Sequence, residues 1–160
     1  MIMWNAAPEI IFPPHNELSL LGAPLLTDGL SMAISAKTAT LKLMSSRIDI
    51  LPAHQSFFLL KNCLVVPKVI YLLRSASVYE CMNELNCPEK VICESVEAIT
   101  NTARSPAVWR QASLPAAFGG IEIRRTSELA LSAFLESVHA TEAFTLQILP
   151  IIDIEPSLSN

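Results

Sequence analysis

Glycine is almost missing from this chain, with four in 160 residues. So few glycines leave no Gly-x-Gly-x-x-Gly turn and no Walker-type loop to cradle a phosphate. No Gly-x-Ser-x-Gly elbow is present either. Aspartate is scarcer still, at Asp28, Asp49 and Asp153 only. Two-metal phosphoryl transfer needs carboxylates gathered around cations about 4 Å apart, and these three are scattered along the chain. Charged residues make up only 16% of the total, against about 25% in ordinary domains. The hydrophobic share is 51%, which excludes a disordered chain. A net charge of −4 excludes a broadly basic nucleic-acid binder on average charge. So little charge leaves apolar surface uncovered, as in a domain that packs on something larger.

Other absences bear on context. Met1 to Phe12 has no Lys or Arg and is broken by Pro8, so the basic start of a secretory signal is lacking. The most apolar run, Phe57 to Leu73, is interrupted by Lys61, Pro67 and Lys68 and reads as a core segment rather than a membrane span. The cysteines are Cys63, Cys81, Cys87 and Cys93, the histidines His15, His54 and His139. None form the close ligand pairs of a zinc site. The expectation is therefore no metal, no cofactor and reduced thiols in an intracellular setting, cytoplasmic or nuclear.

What is present is helical spacing. Residues 1–16 read as an irregular lead-in with Pro8, Pro13 and Pro14, and residues 17–23 as a short strand closed by Gly22 and Pro24. Leu30, Ile34, Leu41, Met44, Ile48 and Leu51 then share one helix face up to Pro52. A second helix spans about 53–64, and Pro67 opens another to about Ser75. Asn86, Pro88 and Glu89 have the spacing of a capped helix start, with Ile92, Val96 and Ile99 as its apolar stripe. Ser105-Pro106 begins a short helix through Trp109, and Gly119-Gly120 marks a turn. Ile121 and Ile123 alternate with Glu122 as a brief extended segment. A long helix covers about 126–147, and residues 150–160 form an acidic tail. The expected fold is mainly α, one helical bundle over 17–149 with a short N-terminal strand.

Charge is unevenly placed. Between Leu30 and Tyr79 lie Lys37, Lys42, Arg47, Lys61, Lys68 and Arg74, opposed only by Asp49. The rest of the chain holds five basic and fourteen acidic residues. A basic block in an acidic chain is either a phosphate-facing surface or an ordinary solvated helix face. The pairs Glu94/Glu97 and His139/Glu142 sit one turn apart on helices and read as solvated faces, so no catalytic constellation is expected.

Several segments taken in order carry a resemblance. They are Leu20-Leu21-Gly22-Ala23-Pro24, then Leu59-Leu60-Lys61-Asn62-Cys63 with Pro67-Lys68-Val69-Ile70-Tyr71-Leu72-Leu73-Arg74, then Trp109 with Gln111-Ala112-Ser113-Leu114-Pro115 and Gly119-Gly120-Ile121 before Ile123-Arg124, and finally Ala133-Phe134-Leu135 with Ser137. Together they resemble reverse transcriptases of non-LTR retrotransposons, in the thumb and connecting region that follows the catalytic palm. The resemblance spans about 20–141. Glu122 departs from it, standing where that family usually has glycine.

The resemblance implies a helical, thumb-like remnant of an RNA-directed DNA polymerase, with the palm and its paired aspartates expected to lie before Met1. Such a piece has no catalysis of its own. It further implies that Lys37, Lys42, Lys61, Lys68 and Arg74 are candidate contacts to the phosphates of an RNA or DNA duplex. Leu21, Gly22, Pro24, Trp109, Gly119 and Gly120 would be structural. The alternative is a helical interaction module derived from such an element, burying its apolar face on the missing palm or another protein.

Overall fold

The structure, a computed structural model, describes residues 13–103 and 105–148. It begins with a hairpin in place of the single expected strand. β1 (Ser19–Leu20) pairs antiparallel with β2 (Ala23–Pro24), with Leu20 opposite Ala23. The two linking residues, Leu21 and Gly22, have φ of 52° and 82°, the double positive φ that a tight two-residue hairpin requires. The Leu25 amide closes the ladder on the Leu18 carbonyl at 2.9 Å.

The helices follow. α1 runs Leu30–Ile48, α2 Ala53–Leu59 and α3 Val66–Ser75. α4 is Met82–Thr100, α5 Pro106–Ser113 and α6 Thr126–Ile148. α1 stops short of Leu51, because the residue before a proline is pushed out of helical conformation. The hydroxyl of Ser56 donates to the Ile48 carbonyl at 2.6 Å and so closes the end of α1.

Pro67 does not open a separate helix. α2 and α3 are joined through a π-helical turn, Leu60–Val65, into one helix of 23 residues. Proline lacks the N–H that would bond the carbonyl four residues back and its ring crowds that carbonyl. A widened turn just before it accommodates both effects without breaking the helix. By length and composition this helix would suffice to cross a membrane, yet Leu60, Leu64, Val65, Val69, Leu72 and Leu73 are spent on the core.

The start of α4 also differs from the expected one. The helix begins at Met82, with the amides of Glu84 and Leu85 already bonded to the Cys81 carbonyl. Asn86 is therefore not a cap, and Pro88 lies inside the helix. Leu85 and Pro88 are both buried, and their burial favours one more turn than the local capping signal would set.

α1 packs against α4, and α3 against α6. Between the first pair, the buried hydroxyls of Ser45 and Ser95 meet at 2.7 Å. Leu30, Leu41, Leu60, Val65, Leu73, Val78, Ile92 and Ile123 form the most deeply buried part of the core. α6 contributes Ala130 and Ala133 to it, and Phe134 meets the ring of Tyr79 at 5.3 Å. Beyond Ser137 every described residue of α6 is exposed. The brief extended segment expected at residues 121–123 does not form: Glu122 has φ of 58°, and residues 121–125 are irregular and pair with no strand.

Candidate nucleic-acid interface

Two polar arrangements organise the surface between α4, α5 and the start of α6. The first centres on Glu89, which is 8% exposed. Its Oε1 accepts from Arg125 Nε at 2.7 Å and from Trp109 Nε1 at 3.2 Å. Its Oε2 accepts from Ser127 Oγ at 2.6 Å. Arg125 also donates from Nη1 to Glu128 at 2.8 Å. One carboxylate thus ties α4 to α5 and to the start of α6.

Burial alone would push the Glu89 carboxyl up. The hydrogen bonds from Ser127, Arg125 and Trp109 and the charge of Arg125 outweigh it, and the carboxyl titrates below its ordinary value. A carboxyl held low in the folded chain contributes stability above its unfolded pKa of about 4.3. That contribution is lost as pH falls through the folded value. The urea midpoint of the parent chain is expected to drop more steeply below about pH 4.3 than that of Glu89→Gln. Parallel curves for the two proteins between neutral and acid pH would sink this assignment.

The second arrangement is the loop between α5 and α6. The Gln111 amide donates to the carbonyls of Phe118 and Gly119, both at 3.0 Å. The amides of Ile121 and Ile123 both reach the Ala112 carbonyl at 3.2 Å. Glu122, between them, has φ of 58°, the left-handed region that glycine favours. The backbone therefore keeps a glycine-like turn although the residue is glutamate. Its carboxylate accepts from Lys61 Nζ at 2.8 Å and from the Ala116 amide at 3.2 Å. Hydrogen bonding from Lys61 first, then from the Ala116 amide, holds that carboxyl below its ordinary value.

Of the five candidate phosphate contacts, Lys61 is therefore already paired. Lys42 and Arg74 are exposed, and Lys37 and Lys68 are half-buried. Those four make no ion pair among the described residues. They do not form one face. Lys37 and Lys42 project about 140° apart around α1, and Lys68 and Arg74 about 120° apart around α3. Lys61 and Arg124 line one surface groove of ≈ 490 Å³ between the π turn and the α5–α6 loop.

The expected structural residues fall in three places. Leu21 and Gly22 make the hairpin turn, with Leu21 85% exposed, and Pro24 is buried. Trp109 anchors α5 to Glu89. Gly119 and Gly120 carry the α5–α6 loop. The hairpin reaches α3 through Tyr71, whose hydroxyl donates to the Leu20 carbonyl at 3.4 Å. Spacing gave Glu89 only as part of a helix start and gave Arg125 no role, because the bond between them joins residues 36 positions apart. The described residues hold no group of three His, Cys, Asp or Glu that could bind a metal ion. No protein-family model, no curated protein and no solved structure matches the chain.

Proposed function

We propose that this chain is the helical region following the palm of a retroelement reverse transcriptase, and that it holds the template–primer duplex through its phosphates. It supplies no polymerase chemistry itself, since its three aspartates stand at positions 28, 49 and 153. The observation that supports this reading is the way the resembling segments meet in space. The Leu20–Pro24 segment touches the Pro67–Arg74 segment through Tyr71 and Leu20. The Leu59–Cys63 segment touches the Gly119–Arg124 segment through Lys61 and Glu122. Segments separated by about forty to sixty residues thus build one scaffold, and Lys37, Lys42, Lys68 and Arg74 make no ion pair among the described residues.

The test is binding of a short RNA–DNA hybrid duplex over a range of salt, read by fluorescence anisotropy. Affinity should fall steeply with salt, and each of Lys42→Ala, Lys68→Ala and Arg74→Ala should reduce the log–log slope by about one if its residue contacts a phosphate. Absent or salt-independent duplex binding would remove this reading.

A second reading rests on a different observation. α6 exposes Leu131, Leu135, Val138 and Leu146 within about 80° around its axis, an apolar stripe suited to a protein partner. On that reading the chain is a helical interaction module derived from the same element. Saturable binding to a separately expressed palm, unaffected by salt, would favour it.

A further inference from the structure

The groove beside the π turn brings two cations and one carboxylate together. It is lined by apolar Val65, Val66, Pro67 and Ile123 together with Lys61 and Arg124. An ammonium at 2.8 Å and a backbone N–H at 3.2 Å converge on one carboxylate, that of Glu122. Arg124 lines the same groove as Glu122, and its charge favours the same carboxylate. Convergent N–H groups of this kind donate to a phosphate oxygen as readily as to a carboxylate oxygen.

The anion now in place is an internal one, and it is weakly held. The Lys61 and Glu122 side chains are 30% and 46% exposed, so water and salt compete for the pair. Glu122 also occupies its position with a backbone conformation unfavourable to any residue with a Cβ.

We propose that Glu122 is an internal stand-in for a phosphate, and that a duplex phosphodiester displaces its carboxylate to be held by Lys61 and Arg124. This rests on the reading that the chain binds duplex nucleic acid. It deepens that reading by placing one phosphate and by making Glu122 a brake on affinity.

The experiment measures hybrid-duplex binding by the full chain and by Glu122→Gln, Glu122→Gly, Lys61→Ala and the Lys61→Ala/Glu122→Gln double variant. Folding is checked by far-ultraviolet circular dichroism. The glycine variant suits the left-handed position and decides the matter if the glutamine variant folds poorly. Both Glu122 variants are expected to bind about 3- to 10-fold tighter at low salt, with a salt slope steeper by about one. The gain should vanish when Lys61 is alanine.

Tighter binding by the Glu122 variants supports the proposal even if the parent chain binds too weakly to detect. Duplex binding by the parent with unchanged or weaker binding by the Glu122 variants overturns it and leaves the duplex reading standing. A gain that persists without Lys61 overturns it as well, because it would reflect overall charge. An equal gain towards poly-glutamate overturns the assignment to phosphate. No duplex binding by any of the proteins fails the duplex reading, and the brake falls with it.

Discussion

A Glu89→Ala variant unfolds about 10 °C below the parent chain, corresponding to a loss of about 3 kcal/mol. The carboxylate is buried and accepts three hydrogen bonds, from Arg125, Trp109 and Ser127. Removing it leaves the Arg125 guanidinium, 27% exposed, beside a cavity with only Glu128 to balance it. The indole N–H of Trp109 and the hydroxyl of Ser127 lose their acceptor as well, each at a desolvation cost of about 1 kcal/mol or more. The loss should be cooperative, since α5 and the start of α6 are both held by that one group. A double-mutant cycle with Arg125→Ala measures the coupling by urea denaturation. A Glu89→Ala midpoint within 2 °C or so of the parent would mean that apolar packing alone holds these helices.

Gly120→Ala is the second change with a large expected effect, a destabilisation of about 3 kcal/mol. A Cβ at Gly120 would overlap the carbonyl carbon and oxygen of Leu114 and come within 2.8 Å of the Gln111 carbonyl oxygen. These are backbone atoms, and the end of α5 would have to move to make room. Gly119 provides the contrast. Its φ is 74°, and an added Cβ would meet only the Gln111 side-chain nitrogen, at 3.2 Å. Gly119→Ala should therefore cost about 1–2 kcal/mol, the usual penalty for a left-handed residue with a Cβ. Denaturation midpoints of the two variants separate the causes: at position 119 glycine is needed for conformation, and at position 120 for space. Equal destabilisation at the two positions would contradict this account.

The helices were largely legible from the chain. The apolar spacing of Leu30, Ile34, Leu41 and Ile48 places them on one buried face of α1. Ser105 caps α5 by accepting from the Val108 amide at 3.2 Å, as Ser-Pro at a helix start suggests. Two local signals misled. Asn86-x-Pro88-Glu89 has the form of a helix start, yet it lies within α4 because Leu85 and Pro88 are drawn into the core. Pro67 has the form of a break, yet the π turn absorbs it. In both places burial of apolar side chains outweighs a local preference, about 1 kcal/mol for a cap and about 3 kcal/mol for a proline within a helix.

The candidate interface was legible only as charge. Lys61 looked like its neighbours in the basic block, and only the fold sets it against Glu122, 61 positions away. Glu89 looked like a cap and became the tie between three helices through Arg125, 36 positions away. Helix periods, proline effects and glycine turns act within about four residues, so the order of residues suffices to place them. An ion pair across the bundle depends on which helix faces pack together, and the side-chain volumes of the whole core decide that. The helical class, the turn positions and the uneven charge therefore belong to the chain read as a line. The pairing of Lys61 with Glu122 and the knot at Glu89 came into being only when the helices packed.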